Sequence, residues 1–241
     1  KNYKEDFGFL SLILLIFTAF KIRTSNLVHL VDVTTGKFIP GDPDAAAFLR
    51  YAKYVLENGK LMDIDLMRYY PLGYNNLDEF NLLTHFIVYL YKFLHFFNDK
   101  ITLEYVDVFF PAVTFGAALL FFYLLVRKLF DFRVALLASA FLTFMPPFLY
   151  RTISGVGDKE ALGIAFFFAA LYFYVLAVKS EHKYGFLNGL ISGFFTALLG
   201  SVWGGVNFLF LIIGGAVIVK TATDNLEKKY FYVYALWWFS S

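Results

Sequence analysis

Cysteine is absent from these 241 residues, so they carry no disulfide framework and no thiolate metal or redox chemistry. Charge is scarce too: Asp, Glu, Lys and Arg make up 17% of the chain, and the net charge is +2. So small a balance gives no electrostatic footing for a polyanion, which argues against nucleic acid as a partner. The four histidines show no paired spacing of the kind that binds zinc. What fills the chain is apolar, 59% hydrophobic and 22% aromatic, and this composition marks an integral membrane protein rather than a soluble domain.

A bilayer core of about 30 Å needs about 20 helical residues, with about 17 as the lower limit. Runs 109–126, 134–150 and 161–178 meet that limit without a single charge. Run 184–219 is also free of charge and long enough for two spans, with a reversal at Gly200, Trp203, Gly204 and Gly205. Residues 7–20 follow a mixed-charge start and have no small-residue cleavage site after them, so they read as a retained first span. Spans are therefore expected near 7–22, 106–127, 134–150, 161–178, 185–201, 206–220 and 230–241, with one long loop over 24–105. Backbone groups in lipid must be satisfied within their own segment, so the spans are helices.

Segment 80–97 is apolar but carries His85, Lys92 and His95, which suits a helix lying in the membrane interface. With that choice Arg127, Lys128, Arg133, Lys179, Lys183, Lys228 and Lys229 all share one side, which the positive-inside rule makes cytoplasmic. Loop 24–105, segment 151–160 and the Trp203 turn then face outward.

Segment 151–160 holds Arg151, Asp158 and Glu160 between two apolar runs. The two acids flank Lys159, which sets both carboxylates to one side of a turning chain and suits a hard cation. Oxygen donors alone favour Mg or Mn over Zn. The plain alternative makes them acids that open the following helix, with Arg151 as an interfacial anchor. Asp42-Pro43-Asp44 has the same two readings. Asp42 suits an N-cap, Pro43 a first helical position and Asp44 the helix dipole, or else the pair forms the other arm of a cation site. Trp203-Gly204-Gly205 reads as a tight reversal with Trp in the aromatic belt.

Together these motifs resemble the catalytic subunit of oligosaccharyltransferase, the family of archaeal AglB, bacterial PglB and the eukaryotic Stt subunit. Arg-Thr-x-Ser-Gly-x-x-Asp-x-Glu, at Arg151, Thr152, Ser154, Gly155, Asp158 and Glu160, looks like the family's second acidic motif with its upstream arginine. Asp42-Pro43-Asp44, followed by Arg50 and Tyr54, looks like the first, and Tyr70-Pro71-Leu72-Gly73 resembles a turn of its first external loop. Trp203-Gly204-Gly205 resembles the reversal after its fifth span.

The resemblance implies an all-α membrane bundle of the C-type glycosyltransferase architecture, covering the N-terminal third of a family member. It implies transfer of an oligosaccharide from a polyprenyl phosphate or pyrophosphate carrier to asparagine in Asn-x-Ser/Thr. By the same likeness Asp44, Asp158 and Glu160 hold Mn or Mg, with Asp42 the alternative first-motif acid and Arg151 beside them. Trp203, Gly204 and Gly205 lie at the lipid-linked donor. The residues in hand, without the rest of the protein, are expected to be inactive. A protein O-mannosyltransferase of the same architecture is the nearest alternative. An ion-coupled transporter would place ionisable residues within its spans, and those from residue 109 onward carry none.

Overall fold

The structure, a computed structural model, describes residues 2–78, 81–223 and 228–241. Phe80, the expected start of the interfacial helix, lies outside the described residues. The long first helix α1 (Asn2–Thr24) leads into a loop that carries α2 (Pro43–Asn58), a small antiparallel pair β1 (Ile64–Asp65) and β2 (Tyr74–Asn75), and α3 (Leu82–Phe97). Then follow α4 (Leu103–Leu129), α5 (Phe132–Phe144) and α6 (Pro146–Thr152). The chain continues through α7 (Lys159–Lys179), α8 (His182–Gly200), α9 (Val206–Thr223) and α10 (Lys228–Ser240).

Four of the described helical stretches are long and apolar enough to cross a membrane: Phe7–His29, Leu103–Leu129, Lys159–Lys179 and Val206–Thr223. A fifth is reached if α5 and α6 count together. They form one apolar run bent by 63°, where the sequence suggested an unbroken span over 134–150. The cause is Pro146-Pro147: two missing N–H groups end the ladder of α5, and the first proline starts α6.

Helix α4 is the centre of the bundle and packs on α1, α2, α3, α5, α6 and α7. In lipid, helices associate by close packing and hydrogen bonds rather than by escape from water. Small side chains accordingly line the seams: Ala118 on α4, and Ala161, Ala165, Ala169, Ala170 and Ala177 on α7, are all buried. Polar contacts add to this, as Ser192 donates to the Ala170 carbonyl (2.7 Å) and the Trp237 indole to Thr196 Oγ1 (2.9 Å).

Outside the bundle, α2 and α3 lie over the start of α4. Phe48, Ala52 and Val55 of α2 share a core with Leu83, Ile87 and Val88 of α3 and with Leu103 and Phe110 of α4. The other face of α3 leaves Tyr89, Phe93, Phe96 and Phe97 exposed.

Candidate active site

The site is built where segment 153–158 crosses between α6 and α7. Pro111 inside α4 has no N–H for the Asp107 carbonyl one turn back, so the wall of α4 is open there. The segment docks onto that opening. The Gly155 N–H donates to the Val108 carbonyl at 2.8 Å. Gly157 comes so close that a Cβ on it would lie 3.2 Å from the Asp107 carbonyl oxygen and 3.0 Å from Phe110. On the other side the Ser154 N–H donates to the Arg23 carbonyl (2.9 Å), and Asn26 Nδ2 donates to the Ser154 carbonyl (2.8 Å).

Asp158 caps α7, with its carboxylate accepting the Lys159 N–H at 2.6 Å. Glu160 follows in the first turn. Both acids face Arg151, whose guanidinium lies 3.5 Å from Asp158 Oδ2 and 3.9 Å from Glu160 Oε1. Asp158 is 9% exposed while Arg151 keeps about half its side chain in the open. Burial pushes the Asp158 carboxyl up to about 6; the Lys159 N–H opposes this, and the nearby Glu160 charge adds to it. Arg151 is the cation within ion-pair distance of both acids, at the long end of that range.

The first acidic motif is brought alongside. The Gly41 N–H donates to the Gly155 carbonyl at 3.0 Å, which joins the loop before α2 to the segment before α7. Asp42 is a true N-cap, accepting from the N–H groups of Asp44 (2.8 Å) and Ala45 (3.4 Å). Asp44 is exposed in the first turn. One turn further on the same face, Phe48 lies under the Lys159 ammonium, 5.5 Å from ring centre to nitrogen.

The Asp42 carboxylate is thus committed to the helix end, while the Asp44 side chain stays exposed. Among the described residues, no three His, Cys, Asp or Glu side chains converge closely enough to hold a metal. The structure joins Asp158 and Glu160 through Arg151 and does not close Asp44 onto them.

Trp203 lies in the turn between α8 and α9, packed so closely on α7 that a Cβ on Gly163 would lie 3.2 Å from its ring. It shares an apolar cleft of about 340 Å³ with Arg151, Glu160, Phe148, Ile164 and Phe168. Gly204 and Gly205 shape the turn without forming the walls of the cleft.

Two features had no sequence signal. Arg50, which follows the first acidic motif, holds Asp65: its guanidinium binds both carboxylate oxygens. The Tyr51 hydroxyl (2.9 Å) and the Met67 N–H (3.0 Å) complete the shell of this fully buried acid. The Arg50 guanidinium, first among these contacts, lowers the Asp65 carboxyl to about 2 against the cost of burial. Arg23, at the end of α1, is also fully buried.

A helical membrane bundle with an elaborated first loop and acids gathered at one end is the C-type glycosyltransferase architecture. The Archaeoglobus fulgidus oligosaccharyltransferase in its apo form superposes with a TM-score of 0.81 at 22% identity, over 99% of this chain and 29% of that one. The same enzyme in complex with Zn and sulfate gives 0.79 at 21% identity, over 95% and 30%. Residues 11–240 match the family Oligosaccharyl transferase STT3, N-terminal, and the chain belongs to that family. Among relatives, the Schizosaccharomyces pombe dolichyl-diphosphooligosaccharide–protein glycosyltransferase subunit stt3 is 24% identical over 245 residues, covering 99% of this chain and 32% of its own length. The Saccharomyces cerevisiae subunit STT3 is 23% identical over 194 residues, covering 78% and 27%. The chain therefore spans about a third of the length of the relatives it matches.

Proposed function

We propose that the full-length protein transfers an oligosaccharide from a polyprenyl phosphate or pyrophosphate carrier to asparagine in Asn-x-Ser/Thr, on the extracytoplasmic face of the membrane. The observation that carries this reading is Arg151, half-exposed, holding Asp158 and Glu160 at the edge of an apolar cleft, with the Asp44 loop bonded on through Gly41 and Gly155.

The chemistry has two demands. The leaving phosphate gathers negative charge, and a carboxamide nitrogen is a poor nucleophile. The cleft fits the apolar chain of the carrier, and Arg151 at its edge meets the phosphate. Trp203 supplies a flat wall beside it. A structure of the Archaeoglobus enzyme was obtained with an inhibitory peptide and a dolichol-phosphate, which supports a donor and an acceptor of these classes.

Asp158 and Glu160, side by side on Arg151 and offering only oxygens, would hold a divalent cation such as Mn or Mg, with Asp44 the further ligand. Bound there, the cation would stabilise the phosphate oxygens as the carrier departs. Asp44, exposed beside the junction of the two loops, accepts the N–H hydrogens of the acceptor amide and weakens its conjugation. Asp42 holds α2 in place for this.

The test is transfer of a labelled lipid-linked glycan by the full-length protein to an Asn-x-Thr peptide, against a Gln-x-Thr control. Modification of the asparagine peptide alone is the expected result. Equal labelling of both peptides, or of serine and threonine hydroxyls in their place, overturns the reading.

A further inference from the structure

Arg23 is the least expected charge in the bundle. It is fully buried and, among the described residues, no acid lies within ion-pair distance of it. A buried guanidinium is costly unless its donors are met. Here every partner is neutral. Nε donates to Thr152 Oγ1 at 2.7 Å, both terminal nitrogens donate to the Thr143 carbonyl at 3.2 Å, and one also reaches the Ala19 carbonyl at 3.4 Å. The plane of the guanidinium lies over the Phe115 ring at 3.3 Å.

These partners have something in common. The Thr143 carbonyl would accept from residue 147 in an unbroken helix, and Pro147 has no N–H to give. Arg23 replaces that missing donor. Its Nε holds Thr152, the residue after Arg151, and the Thr152 hydroxyl is itself anchored on the Phe148 carbonyl. The Arg23 carbonyl receives the Ser154 N–H. One residue of α1 therefore bonds to the end of α5, the end of α6 and the start of the segment leading to Asp158.

We infer that Arg23 is a positioning residue for the transfer reaction: it fixes the 63° break between α5 and α6 and so sets where α6 aims Arg151. A lysine would keep the charge but cannot reach Thr143 and Thr152 together, because it lacks the planar fork. The inference rests on the role given to Arg151 under the proposed function.

The test is a double-mutant cycle in the full-length protein, with initial rates measured against donor and acceptor concentration. Arg23→Lys and Thr152→Val are each expected to lower kcat/KM for the lipid-linked donor about 10- to 100-fold, leaving the acceptor KM unchanged. Thr152→Ser, which keeps the hydroxyl, restores the rate. In an Arg151→Ala background, Thr152→Val is expected to add no more than about twofold, since its effect runs through the missing side chain. If the two losses multiply, Arg23 and Thr152 serve only general stability and the inference falls alone. If Arg151→Ala transfers at the wild-type rate, the reading of the site falls and this inference with it. Thr152→Val carries the test should Arg23→Lys fail to accumulate in the membrane.

Discussion

Gly41 and Gly155 meet through one backbone hydrogen bond of 3.0 Å, and on it the two acidic motifs come together although more than a hundred residues separate them. Gly155 has φ +88°, and a Cβ there would lie 2.7 Å from Leu30 and 3.2 Å from the Gly41 nitrogen. Gly155→Ala is therefore expected to cost about 1–2 kcal/mol from the backbone alone and to push the two loops apart. The Tm in detergent and the transfer rate should both fall. A variant with normal transfer would show that the junction does not position the acids.

Removing Asp158 or Asp44 should affect the reaction more than the fold. In the full-length protein Asp158→Asn and Asp44→Asn are each expected to lower the rate about 10²- to 10³-fold, the usual loss on deleting a main electrostatic group. Chelation by EDTA should mimic this, and Mn or Mg should reverse it. Transfer indifferent to both chelation and Asp158→Asn would remove the cation from the proposed mechanism.

Asp65 gives a pH signature in stability. Its folded value, about 2, lies below the ordinary carboxylate value of about 4, so the stabilisation is complete above about pH 4 and is lost as pH falls through the folded value. Asp65→Asn is expected to destabilise by about 1–3 kcal/mol at pH 7. The gap in Tm between wild type and variant should narrow between pH 4 and pH 2. A constant gap across that range would rule out the charged Arg50–Asp65 contact as its source.

Sidedness can be read directly, since these 241 residues contain no cysteine. Asp44→Cys and Lys228→Cys, both at exposed positions, should react with an impermeant thiol reagent from opposite faces of the membrane. Labelling of both from one face would defeat the proposed orientation.

The helical membrane bundle was legible because charge-free runs report directly on burial in lipid. Arg151, Asp158 and Glu160 were legible because they sit within ten residues of one another, and Asp42 because an acid before Pro43 is a local capping signal. The α5–α6 break was passed over because the run carries no charge and its length suits one span, although Pro146-Pro147 marks the place. Asp65 and Arg23 were hidden for another reason. Their partners are set by tertiary folding, 15 residues away for Arg50 and 129 for Thr152, and no spacing rule reaches that far. Arg50 was visible as part of the first motif, but nothing in its spacing along α2 names Asp65 of β1 as its partner.

Helix α7 runs from the Asp158 cap to Lys179, whose ammonium donates to the Lys128 carbonyl in the last turn of α4 (2.8 Å). Its 21 residues rise about 31 Å, close to the thickness of the hydrocarbon layer. On the proposed orientation the helix acts as a gauge, fixed at one interface and carrying the acid pair at the other. The depth of that pair relative to the lipid headgroups is set by the number of residues in α7. Adding one residue to the span would shift the pair by about 1.5 Å and turn it by about 100° away from Arg151, even with every side chain of the site unchanged.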